Sequence, residues 1–427
     1  MRCFDDLRTK GRNMNAYYAA MRDEYIAFAR KTVSFRSLPG EEKPLADFFL
    51  KEFEKLGVEA FRDGAGNVLA VLRGAGGGPN VMLNGHLDIV PEGERKHWEP
   101  YDPYDARLVD GELIGRGLAD LKGGLCAQYF AFRQFALAAR RGVRPPGNLL
   151  FALVVMEEPA ESMGTEYLFE VTLKELNLSC DLVYLSEPTS GDLALGHRGK
   201  VELVVEVQGR TAHSSEPRQG VNAVEKAIPV LNAVFDGFGD PPDSHPLLGE
   251  SSMTVTDVEV LPGGLSVIPD VCRIYVDRRY LPPRTTGDCI AQIEAFLQRQ
   301  RMKDPAFSAK VYPRTTLRTC YTGYAKEMER KHPAWITERE HPFVQKSFEA
   351  LEEIGQNPQE KYWKFGTDGS VTRGVFGIPT IGYSMAEERW AHQPKERVSV
   401  DAMLACIEGY AAMLCRIYGL NRKDIEI

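Results

Sequence analysis

His86 and Asp88 stand just past the apolar run Val81-Met82-Leu83, which follows a glycine cluster at 74–78. The run reads as a short buried strand, and side chains two apart at its end share a face. A carboxylate so placed accepts the spare N–H of the imidazole, which fixes the tautomer and leaves the other ring nitrogen a better metal ligand. By itself His-x-Asp is also an ordinary polar strand end, so its company decides the matter. Asp120 closes the turn Gly115-Arg116-Gly117-Leu118-Ala119-Asp120, ahead of an alanine- and leucine-rich stretch at 125–140. Alone it would be a helix N-cap. Held in a tight glycine turn, its carboxylate can present one oxygen to each of two neighbouring cations.

The adjacent pair Glu157-Glu158 ends a second apolar run, 149–156, and Glu187 ends a third, 182–185, in Ser186-Glu187-Pro188-Thr189. Carboxylates at the mouth of a buried strand are costly unless positive charge compensates them, and a dication would do so. Neighbours on a strand point to opposite sides, so one glutamate of the pair can bind metal while the other serves as a general base. A solvated acidic turn is the plainer account of either motif taken singly; the repetition of carboxylate after strand argues for a shared site. His392, in Trp390-Ala391-His392-Gln393-Pro394, falls on a loop. His213, in Gly209-Arg210-Thr211-Ala212-His213-Ser214, and Arg279, in Asp277-Arg278-Arg279-Tyr280, together could recognise an anion. The remaining histidines, His97, His197, His245, His332 and His341, read as polar surface.

The elements that must position these residues are legible in the hydrophobic pattern. It predicts helices at 15–33, 44–56 and 125–140, and a hairpin across 58–72 turning at 63–67. Strands follow at 148–156, 182–185 and 377–384, and further helices at 342–355 and 400–418. Strands alternating with helices predict an α/β sheet, and the ends of such strands are where open sheets carry their sites. From residue 199 the texture changes to β-α-β-β-α-β, with strands at 201–207, 252–260, 267–280 and 309–313 and helices at 222–235 and 288–300. That order is the ferredoxin-like unit, here inserted into the first domain. The expected division is therefore a domain built from 1–198 and 316–427, with an inserted domain at 199–315. Residues 318–340 lack clear periodicity and are expected to form a long loop.

A chain of 427 residues suggests two domains. Its net charge of −8, without a basic run interleaved with aromatics, argues against a nucleic-acid partner. No stretch is long and apolar enough to span a bilayer, and the residues after Met1 lack the apolar core of a signal peptide, so a cytoplasmic protein without membrane association is expected. Met14 is an alternative start. Eight scattered cysteines without C-x-x-C spacing read as reduced, buried thiols.

Taken in order, His86-x-Asp88, Asp120 within Gly-Arg-Gly-x-x-Asp-x-Lys-Gly-Gly, Glu157-Glu158, Ser186-Glu187-Pro188-Thr189 and Ala391-His392 resemble the di-zinc amidohydrolases and exopeptidases. That family includes succinyl-diaminopimelate desuccinylase, acetylornithine deacetylase, aminoacylase and glutamate carboxypeptidase. The resemblance implies a zinc-exopeptidase-like α/β catalytic domain with an inserted ferredoxin-like α+β lid that also makes a homodimer contact. It implies two Zn2+, replaceable by Co2+ or Mn2+: one held by His86 and Glu187, the other by Glu158 and His392, with Asp120 bridging. Glu157 would be the base that takes a proton from the metal-bound water and passes it to the leaving nitrogen, and Asp88 would orient His86. His213 would reach into the partner subunit's site to stabilise the oxyanion, and Arg279 would grip the substrate carboxylate.

The implied activity is hydrolysis of the amide bond of an N-acyl amino acid or short peptide with a free carboxylate. Such a reaction needs a nucleophile at neutral pH, a Lewis acid on the carbonyl and a proton for the amine, which two metals and one carboxylate supply. Two histidines and three carboxylates suit zinc. Hydrolysis of an N-carbamoyl or ureido compound is the alternative reaction. A non-catalytic binding protein on the same fold is the alternative class, and the presence of every implied ligand and of the base argues against it. Two positions depart from the family pattern: Ser266 stands where asparagine is usual, and Gly366-Thr367-Asp368-Gly369 where Gly-Thr-Ser-Asp is common. Neither falls on an implied ligand.

Overall fold

The strands Val81–His86, Leu149–Val154 and Leu182–Leu185 are buried along their whole length because both faces of their sheet are covered. In the computed structural model, which describes residues 15–159, 161–239, 242–264 and 266–426, Val81–His86 lies parallel between the other two. Thr380–Tyr383 continues the parallel run beside Leu182–Leu185. On one side the sheet is extended by the hairpin Glu59–Arg62 and Val68–Leu72. On the other come Leu193–His197, Trp335–Ile336 and Glu360–Trp363, giving nine strands among the described residues.

Alternate residues of these strands feed two different hydrophobic layers. Leu83, Phe151, Leu153 and Tyr184 pack with Phe49, Phe130, Met403 and Ile407 from helices Lys43–Lys55, Gly123–Arg140 and Val400–Tyr418. Met82, Leu150, Val154 and Val183 face the opposite way, onto Leu168, Phe169, Trp335 and Trp363. Val400–Tyr418 is buried on almost every side, and its ends are well defined. The Ser399 side chain accepts from the Ala402 amide at the start, and Gly419 leaves the helix at φ +67°, a conformation that glycine adopts without strain.

The second sheet runs Ser252–Leu261, Val271–Tyr280, Gly199–Gln208, Ser308–Pro313, all antiparallel. Helices Ala223–Phe235 and Thr286–Lys303 contribute to its core, with Val201, Leu203, Ile274, Val230 and Ile293 at the centre. This is the strand order of a ferredoxin-like unit, so the chain combines an α/β sheet with an additional α+β unit. A short fifth strand, Lys331–His332, also joins Gly199–Gln208.

The stretch 318–340 is not the expected loop. Thr315–Thr319 and Ala325–Glu329 form a hairpin, and Trp335–Ile336 then joins the large sheet. Both faces of the hairpin are partly exposed, so no apolar stripe marked it, and Gly323 at φ +89° supplies its turn. The tip is fastened where Tyr321 Oη donates to the Gly66 carbonyl at 2.6 Å and Thr322 Oγ1 to that of Gly64 at 2.7 Å. Among the described residues, seven cysteines are free thiols, and no helix is long and apolar enough to cross a membrane. Met14 and Cys3 lie outside the described residues.

Candidate metal centre

The parallel strands deliver their chemistry to one edge of the sheet. His86 is the last residue of its strand, Glu157 and Glu158 follow Leu149–Val154, and Glu187 follows Leu182–Leu185. Carboxyl ends of neighbouring parallel strands necessarily lie together. Asp120 arrives from the turn before helix Gly123–Arg140, and His392 from the loop after Glu388–Trp390, with its backbone at φ +61°.

Asp120 stands between two imidazoles. Its Oδ1 is 3.2 Å from His86 Nε2 and its Oδ2 is 3.1 Å from His392 Nε2. Glu187 Oε1 lies 3.6 Å from His86 Nε2, and Glu158 Oε2 lies 3.2 Å from His392 Nε2. Glu157 Oε2 is farther, 3.9 Å from His86 Nε2. Ligand atoms of His86, Glu157 and Glu187 all fall within 4.8 Å of one another, as do those of His86, Asp120 and Glu158. The donor set fits a dinuclear metal site: imidazole nitrogen and carboxylate oxygen suit zinc, and the buried Glu158 Oε1 has no hydrogen-bond partner in the protein.

Electrostatics make the same demand. Burial raises Glu157 and Glu187 well above the ordinary carboxylate range, and each is raised further by neighbouring carboxylates. Glu158 is raised by burial and by Asp120. Burial would raise Asp120 as well, but hydrogen bonds with His392 and His86 hold it far below its usual value. His392 is pushed up to about 10 by Asp120 and Glu158. Without a cation, the excess of carboxylate is relieved only by protons, and divalent metal can take their place.

Two expectations drawn from strand periodicity fail locally because the residues lie beyond the strand ends. His86 Nδ1 meets the backbone carbonyl of Asp88 at 2.9 Å, and the Asp88 carboxylate is 3.7 Å away. That carbonyl selects the tautomer with Nε2 free. The Asp88 carboxylate instead accepts from the amides of Glu157 at 3.2 Å and Glu158 at 2.8 Å, and so holds the Glu157-Glu158 backbone in place. Glu157 and Glu158 do not project to opposite sides of a sheet; Met156, at φ +60°, turns the chain so that both reach the cluster.

His213 and Arg279 lie in the second unit. His213 is exposed, with Nδ1 2.7 Å from Ser215 Oγ. The neighbouring Ser214 amide donates to the Ser266 carbonyl at 3.0 Å, and Ser266 holds φ +67°, a region that asparagine tolerates better than serine. Arg279 sits on Val271–Tyr280, its Nε 2.8 Å from Asp277 Oδ1.

Several buried polar groups near the cluster were not singled out from sequence. Asp368, 2% exposed, is raised by burial to about 6 and lies close enough to influence Glu157 and Glu187. Its glycine turn is the same signature that marked Asp120. His197 and His332 are buried, not surface residues. His197 ends the strand Leu193–His197 much as His86 ends its own, and burial lowers it to about 4, so it is neutral at physiological pH. Its Nε2 accepts from the Thr367 amide at 3.1 Å, which fastens the turn carrying Asp368. Glu42 is buried and raised to about 8, first by burial and then by the Asp88 charge. Glu396 accepts hydrogen bonds from the turn before Asp120. Its surroundings, Gln393-Pro394-Lys395-Glu396-Arg397, read as an ordinary solvated loop.

An α/β sheet that gathers imidazoles and carboxylates into two overlapping ligand groups at its strand ends defines a metal-dependent hydrolase. The model of peptidase family M20/M25/M40 matches residues 82–416, and the chain belongs to that family. The uncharacterized protein YgeY of Escherichia coli (strain K12) is 28% identical over 394 residues, covering 90% of this chain and 92% of YgeY. Succinyl-diaminopimelate desuccinylase of Phenylobacterium zucineum is 28% identical over 349 residues, 80% of this chain and 84% of that protein. The crystal structure of aminopeptidase PepT from Bacillus cereus shares the fold, with a TM-score of 0.68 and 20% identity over 95% of this chain and 99% of PepT.

Proposed function

We propose that this chain uses two zinc ions to hydrolyse the amide bond of an N-acyl amino acid or short peptide bearing a free carboxylate. The observation that carries this reading is the position of Asp120, one oxygen facing His86 and the other facing His392. In it, His86 and Glu187 would hold one metal, Glu158 and His392 the other, and Asp120 would serve both; cobalt or manganese could substitute. The bound metals would polarise the substrate carbonyl and make water acidic enough to attack at neutral pH.

The protein's own part is proton traffic and placement. Glu157 takes the proton of the attacking water and returns it to the departing nitrogen, which must leave as an amine. Its backbone is pinned by the Asp88 carboxylate, so its side chain starts from a fixed point. His392 is half exposed, which leaves the His392 side of the cluster open to an incoming substrate. Arg279 would pair with the substrate carboxylate, exchanging part of its bond to Asp277. His213 would donate to the oxyanion of a neighbouring subunit.

That last role requires a dimer, and the second unit offers a surface for one. Ile228 and Phe235 are exposed on helix Ala223–Phe235, and Val258 and Leu261 are exposed on Ser252–Leu261, which is an edge strand among the described residues. An open edge with apolar neighbours invites pairing with a second copy. Ile228→Glu combined with Phe235→Glu is expected to shift the protein to monomer in sedimentation velocity and to lower turnover at least tenfold; an unchanged dimer would reject this face. The free thiols support a cytoplasmic location.

Turnover of zinc-loaded protein on N-acetyl, N-succinyl and N-carbamoyl amino acids and on dipeptides tests the substrate class. An N-acyl amino acid or dipeptide should be cleaved, with release of the free amine. Cleavage of the N-carbamoyl compounds alone, with ammonia and carbon dioxide released, would assign the ureido reaction instead.

A further inference from the structure

Glu396 is fully buried, and its carboxylate collects four donors from one turn. Oε2 accepts from Arg116 Nη1 and the Gly117 amide, both at 2.8 Å. Oε1 accepts from the amides of Ala119 at 2.8 Å and Asp120 at 2.9 Å. The Glu396 carbonyl also accepts from the Gly115 amide at 2.8 Å, and the next residues, Arg397–Ser399, pair antiparallel with Glu112–Ile114. Arg116 is itself held, 2% exposed, with its guanidinium 5.2 Å from the Trp98 ring centroid. A buried carboxylate is tolerated only when its lone pairs are filled, and here the backbone that aims Asp120 fills them.

We infer that Glu396 is a positioning residue for the metal centre: one carboxylate fixes the turn that aims Asp120 and, from the same loop as His392, sets the distance between them. The inference rests on the dinuclear reading above. Two of the three groups that meet on the His392 side, Asp120 and His392 itself, stand on the two segments Glu396 joins. Glutamine in its place would turn an N–H2 group toward two N–H donors. Aspartate would keep the charge but fall about 1.5 Å short.

The test is titration of metal-stripped, full-length protein with Co2+, followed by its visible absorption, with thermal melting and circular dichroism as folding controls. Wild-type protein should bind two equivalents. Glu396→Gln should keep its circular dichroism and bind the first equivalent within a few-fold of wild type. The second should bind at least tenfold more weakly with an altered spectrum, and kcat should fall with KM little changed. If the glutamine variant does not fold, Glu396→Asp carries the same test and the same expectation. Two equivalents bound with wild-type affinity and spectrum by a folded variant would overturn the inference. Fewer than two equivalents on wild-type protein would overturn the dinuclear reading and this inference with it.

Discussion

Glu157→Gln is expected to lower kcat by roughly a thousandfold while the protein still binds two equivalents of zinc. Glutamine keeps the size and shape of the side chain but cannot take up a proton from water. Glu157 approaches His86 less closely than Asp120 or Glu187 does, 3.9 Å against 3.2 Å and 3.6 Å, so the ligands nearest the imidazole are left intact. The backbone should also be undisturbed, since it is the amide of Glu157, not its carboxylate, that bonds to Asp88. Steady-state kinetics beside metal analysis on the same sample separates the outcomes. Lost turnover with full metal content assigns the base; lost metal would move Glu157 into the ligand set, and full activity would remove it from the mechanism.

Asp120→Asn should cost both metal and rate. The substitution keeps the shape but removes the charge that both imidazoles face, and one of the two oxygens becomes a donor. Two cations that share one carboxylate would lose their common ligand, so after dialysis the variant should retain one equivalent or less. Loss of several kcal/mol of transition-state stabilisation corresponds to roughly a thousandfold in kcat/KM. Retention of two equivalents with near wild-type kcat/KM would show that the ligand sets are independent of Asp120.

The parts of this site readable from sequence were those set by local rules. Apolar runs ending in His86, Glu157 and Glu187 could be read because a fully buried strand has a composition of its own, and parallel strands put their ends together. The final helix was read at its observed limits because Ser399 and Gly419 punctuate it. What escaped depends on residues distant in the chain. Glu396 meets Gly117 across 279 positions, and nothing in a charged loop reveals that it will be buried. The Asp88 carboxylate lies past the end of the strand, where the period of two no longer sets side-chain direction, and it meets the Glu157 and Glu158 amides. The hairpin at 315–329 lacks an apolar stripe because most of its strand residues stay exposed or half-exposed, with Met328 reaching the core. His197 ends a strand of the same sheet as His86 does, but its Nε2 accepts from the Thr367 amide and so fastens the turn of Asp368. A signature of position does not by itself distinguish a ligand from a brace.

The most direct test of the whole account is turnover measured as zinc is returned to chelator-stripped protein in the presence of an N-acyl amino acid or dipeptide substrate. Activity should be negligible without metal and should rise until two equivalents are bound, with no further gain beyond. Turnover that is indifferent to the chelator, that saturates at one equivalent, or that never appears with two bound would contradict a two-metal amide hydrolase.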